Sequence, residues 1–61
     1  MSSIEAHLTR IAAAQSDTQL SNIVRDVEAQ MRVEHAPTAH WEAVRHAARE
    51  RMLFFARRMV A

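Results

Sequence analysis

Four histidines, His7, His35, His40 and His46, are the residues whose type best suits metal or proton chemistry in this chain. Two helical ligands need i,i+3 or i,i+4 spacing, because only those positions share a face. The gaps from His35 to His40 and from His40 to His46 are five and six, and Pro37 interrupts the first. Glu42 stands four residues before His46, but two ligands do not make a site. The chain has no cysteine, so thiolate zinc sites and disulfides are excluded. No metal or cofactor is expected, and the histidines read as surface residues.

Nucleophilic chemistry finds no better footing. The hydroxyl candidates are Ser2, Ser3, Ser16, Ser21 and the threonines, of which Ser16 reads as a helix cap. With no glycine in the chain, neither a strand-to-helix nucleophile elbow nor a phosphate-cradling loop can form. The carboxylates Glu5, Asp17, Asp26, Glu28, Glu34, Glu42 and Glu50 are spread along polar faces. So short a chain also leaves little room for a water-excluding pocket. The sequence predicts no catalytic residue and no small-molecule substrate.

The basic residues are all arginine, and five of the eight fall between Arg45 and Arg58. Seven acidic residues nearly balance them, for a net charge of +1. A nucleic-acid surface would gather its arginines on one face to meet phosphates. On a helical wheel, Arg45 and Arg49 instead flank one side of an apolar stripe, Arg51 and Arg58 the other. Arginine takes such positions when its stem covers apolar surface and its head reaches water. Direct contact with nucleic acid stays open as a secondary reading.

Good helix formers dominate and no stretch alternates as a strand would, which predicts an all-α fold. A short N-terminal helix is expected over about residues 3–14, with Ser2 and Glu5 at capping-box spacing. Its apolar face, Ile4, Leu8 and Ile11, resumes out of register at Leu20, Val24, Val27 and Met31. Ser16 with Gln19 gives a second capping box inside that shift, so a break is placed at about residues 14–17. One continuous bent helix from Ile4 to Val33 is the alternative. A second helix is expected over about 17–33, with Leu20, Ile23, Val24, Val27 and Met31 inward. Pro37 pushes the preceding residue out of the helical region and itself suits a first helical turn. It starts a third helix over about 37–60. The short connection makes an antiparallel hairpin of the second and third helices, with the first folded across one end.

The third helix is apolar on more than one face. Trp41, Val44, Ala48, Met52, Phe55 and Met59 project within about 80° of one another and form its expected core stripe. Ala43, Ala47 and Phe54 fall roughly opposite, with Leu53 and Val60 between. A helix apolar all round is usually buried all round. One domain of 61 residues is near the lower limit for folding alone and has little of its own to cover a second face. The expected surface for a partner is therefore Ala43, Ala47, Leu53 and Phe54, with Arg49 and Arg57 on its flanks, and the chain is expected to be oligomeric or partner-bound. No apolar run approaches the roughly 20 residues of a membrane span, and the first residues lack signal-peptide character. A cytoplasmic protein is expected.

Two families share patterns with the chain. Leu8-Thr9-Arg10-Ile11, Gln15-Ser16, Leu20, Ile23 and Val24, then Trp41, Val44, Ala47-Ala48, Arg51 and Met52, resemble the Hha/YmoA family of small H-NS-associated modulators. The likeness covers about two-thirds of the chain. It departs at Arg49, where that family carries an acidic residue implicated in partner contact. Met1-Ser2-Ser3-Ile4-Glu5-Ala6-His7-Leu8 is similar to the N-terminal pattern of small type III secretion chaperones that hold the needle subunit. Their layout, a short helix with a long hairpin, is similar too. Both resemblances imply a helical, non-enzymatic protein that binds another protein. For the first the partner is a nucleoid protein, and any effect on DNA and gene expression is indirect. For the second it is a secreted subunit. A homodimeric four-helix bundle that binds nucleic acid is a third possibility.

Overall fold

The computed structural model describes the backbone from residue 4 to residue 60 and side chains as far as Arg58. The expected cap at Ser2 or Ser3 and the side chains of Met59 and Val60 lie outside those residues. Three helices follow one another: α1 (Ile4–Ala12), α2 (Asp17–Val33) and α3 (Thr38–Val60). There is no strand among the described residues, and no described helix is long and apolar enough to cross a membrane.

The break after α1 falls where the hydrophobic register shifts. The Ala13 amide is shared between the carbonyls of Thr9 and Arg10 at 3.1 and 3.2 Å, closing the last turn. Residues 14–16 are non-helical. Ser16 then caps α2, its backbone extended and its side chain accepting from the Gln19 amide at 3.1 Å. Gln19 Oε1 reaches back to the Gln15 amide at 2.7 Å. This box is displaced by one residue from the usual reciprocal pairing. A single continuous helix is thereby excluded.

The α2–α3 turn is closed by a Schellman motif built without glycine. The amide of Ala36 donates to Met31 O at 3.0 Å and that of His35 to Arg32 O at 3.2 Å. His35 takes the left-handed position, φ 54°, which a side chain with a Cβ occupies at a cost. Ala36, half-buried against the core, supplies the apolar contact that accompanies the motif.

The core is small: Ile11 and Ala14 from α1 and its exit, Leu20, Val27 and Met31 from α2, Val44 and Phe55 from α3. Each large member contributes about 1.5–3 kcal/mol by leaving water. Around it pack Ile4, Leu8, Ile23, Val24, Ala36, Trp41, Ala47 and Ala48. Arg32 lies over Trp41 at one end of the α2–α3 pair, and Asp17 stands beside Met52 near the other. The hairpin is antiparallel, as the short connection requires.

Two expectations are corrected. First, α1 is not folded across one end. Arg10 pairs with Asp26 at 2.8 Å and His7 meets Glu34 at 3.5 Å, so α1 runs alongside α2 in the opposite sense. It lies parallel to α3, with Leu8 near Ala43 and Ala47, and Ala14 held by Arg51. The result is an up-down-up bundle, 40 × 18 × 14 Å. Second, the core stripe of α3 is turned toward α1. Val44 and Phe55 are buried, but Met52 is 57 % exposed. The cause is that α3 has two neighbours. Its covered arc runs from Ala43 through Ala47, Arg51, Val44, Phe55 and Ala48 to Trp41, roughly 160° at 100° per residue.

Candidate interaction surface on α3

Two shallow apolar grooves run along α3, one on each side of the buried line. The α1–α3 groove, about 490 Å³, is floored by Leu8, Ala12, Ala43 and Ala47 and walled by Phe54, with His46, Glu50 and Arg51 at its rim. Three of its floor residues are alanine, so a helix could approach the backbone closely there. The α2–α3 groove is lined by Val24, Trp41, Ala48 and Met52, with Arg45 and Arg49 along one edge and Glu28 on the other.

The structure divides the surface expected from the sequence. Ala43, Ala47 and Phe54 do come together, in the α1–α3 groove. The two alanines are half-buried rather than free, because α1 lies beside them. Arg49 belongs to the other groove. Leu53 and Arg57 sit on the outer ridge between the two and line neither. Leu53 and Phe54 are each 40 % exposed. Beyond Phe55, Ala56, Arg57 and Arg58 are all exposed.

Arg51 is the residue that organises this end of the molecule. Its Nε and Nη2 both donate to the carbonyl of Ala14, at 2.9 and 2.7 Å. Ala14 is fully buried where the chain leaves α1, so this carbonyl would otherwise face a large desolvation penalty. The guanidinium also lies 4.3 Å from the ring centroid of Phe54 and 5.0 Å from that of Phe55, within cation–π range. The two rings meet edge to face at 5.8 Å, a favoured arrangement. Phe54 is thereby held in place while 40 % of it faces solvent. Arg58, 5.6 Å away on the next turn, completes the cluster. Spacing gave Arg51 a place beside the stripe, but a backbone carbonyl from a different helix leaves no signature in sequence.

The charges are unevenly settled. Among the described residues the side-chain ion pairs are Arg10–Asp26 and the longer His7–Glu34 contact. Arg49, Arg57 and Arg58 pair with no described carboxylate. Arg49 and Arg57 stand one turn before and after Leu53, and Arg58 one turn after Phe54.

The histidine expectation also needs correction at one position. His7 is 3 % exposed, not a surface residue, and neither ring nitrogen has a hydrogen bond. It shares a helical face with Ile11, four residues on, so the fold buries it along with the core. No cluster of three or more metal-type ligands occurs among the described residues. No family model, no curated protein and no solved structure matches the chain; its functional reading therefore comes from its own sequence and geometry.

Proposed function

We propose that the protein is a non-enzymatic helical interaction module, an adaptor that docks a helix of another protein in the groove between α1 and α3. The single observation that carries this is the groove floored by Ala12, Ala43 and Ala47 and walled by Phe54. Small residues let two helix backbones approach, and a held aromatic beside them is the kind of anchor that dominates binding energy. Recognition by a helix laid in an apolar groove is a recurrent mode. Both families the sequence resembles act by binding another protein, which supports the same reading.

The test is chemical-shift mapping of the labelled protein with a synthetic amphipathic peptide whose apolar face is leucine and alanine. Perturbations confined to Ala12, Ala43, Ala47 and Phe54 are expected. Perturbations elsewhere, or none at saturating peptide, would overturn the docking surface.

A further inference from the structure

The groove between α2 and α3 is a second uncovered apolar strip, on the face of the hairpin away from α1. Two adjoining hollows of about 240 and 410 Å³ share Val24, Ala48 and Met52, so the strip is continuous from Trp41 at one end to Leu20 at the other. Met52 in it is 57 % exposed. The two edges carry opposite charge. Glu28 lines the α2 edge, and Arg45 and Arg49 line the α3 edge in the same hollow. Glu28 is half-buried and both arginines are exposed. The described ion pairs, Arg10–Asp26 and His7–Glu34, include none of the three. The groove thus holds an acidic edge and a basic edge that do not neutralise each other within one molecule.

We infer that this face is covered by a second copy of the chain, in a symmetric dimer whose two-fold axis runs parallel to the helices. When two identical faces pack together, the axis lies in the plane between them. An axis parallel to the helices lays α2 of each copy over α3 of the other and keeps every residue at its own height. Glu28 of each copy then faces Arg45 and Arg49 of the other. At the Trp41 end Arg32, which lies over that ring, faces Glu42 of the second copy. An axis across the helices would instead stack α3 on α3, with Arg45 and Arg49 of one copy against those of the other. Arg25, the remaining cation of α2, is 60° further round that helix than Glu28 and lines neither hollow. Val24, Trp41, Ala48 and Met52 supply the affinity. The charges choose the axis, because exposed ion pairs add little affinity but penalise the wrong alignment. The α1–α3 groove of each copy stays open on the outer surface, so the inference stands apart from the docking reading.

The test is sedimentation equilibrium of the native chain and two charge-reversed variants, Glu28→Arg and the double variant Arg45→Glu, Arg49→Glu, each checked for native helicity by circular dichroism. The native protein is expected to dimerise, and its dimer to weaken as salt rises. Each variant alone should dimerise at least tenfold more weakly, since like charges then meet across the interface. An equimolar mixture of the two should recover a heterodimer, because every pair is complementary again. Met52→Glu gives an independent check at an exposed position: it should abolish the dimer, and a dimer that survives it lies on another face. A native protein that stays monomeric at every concentration would overturn the inference and leave the groove to a different chain. A dimer indifferent to Glu28→Arg, or a mixture no tighter than the variants alone, would overturn the alignment of the two copies.

Discussion

The side chain with the most consequences in this molecule is Arg51, because three separate contacts converge on its guanidinium. It closes a buried backbone acceptor at the exit of α1, covers Phe55 from one side and steadies Phe54 from the other. A hydrogen bond from a charged donor contributes about 1.5–3 kcal/mol. Arg51→Met keeps the stem and removes both donors, so a loss of about 2 kcal/mol is expected in urea unfolding. Arg51→Lys, with one compact ammonium in place of the planar fork, should recover only part of it. A change below about 0.5 kcal/mol for Arg51→Met, the range of ordinary surface substitutions, would mean the pairing is dispensable. At this scale the sequence was only partly legible. The spacing of Val44 and Phe55 marked them as core, and Phe54 as the aromatic left facing out. Nothing marked Arg51 apart from its neighbours, and His7 has the residue type of a surface position although its spacing from Ile4 and Ile11 puts it on their apolar face.

The helices themselves were largely written in local signals. Pro37 fixed the start of α3 to within a residue, and Ser16 with Gln19 placed the cap of α2 where it is found. What local signals could not give was the path of α1, because that is decided by which face of α3 remains to be covered. A chain without glycine also concealed the end of α2, where His35 takes the left-handed position. Left-handed backbone costs an ordinary residue about 1–2 kcal/mol. His35→Gly should therefore stabilise the fold by about 1 kcal/mol, less whatever the unfolded chain gains in freedom. Thermal unfolding of the variant checks this. A lowered midpoint would mean that the His35 side chain makes a stabilising contact outweighing its backbone strain.

As a whole the molecule is longer and more open than its mass requires. Its Cα radius of gyration is 11.8 Å, against about 10.5 Å for a compact chain of this length. It exposes 4702 Å², against about 4,000 Å² for an average folded monomer of its mass. The excess goes with exposed Met52, Leu53 and Phe54 on one helix. The all-round apolar character of α3 pointed to Leu53 and Phe54, but Met52 was expected in the core, and the division into two grooves needs the positions of α1 and α2. A protein whose α1–α3 groove receives a helix of a different protein should not use that side of α3 for its own copy, so Leu53→Glu should leave its mass by light scattering unchanged across a concentration series. A stable dimer that dissociates on Leu53→Glu would contradict that. The central claim, that Phe54 belongs to a docking surface and not to the core, is tested most directly by Phe54→Glu, measured for both helicity and binding of the amphipathic leucine–alanine peptide. The new carboxylate lies one turn before Arg58, a spacing favourable to the helix. Circular dichroism and the unfolding midpoint should therefore stay close to those of the native protein while peptide binding is lost. A variant that unfolds would place Phe54 in the core, and one that binds the peptide undiminished would place the docking surface elsewhere.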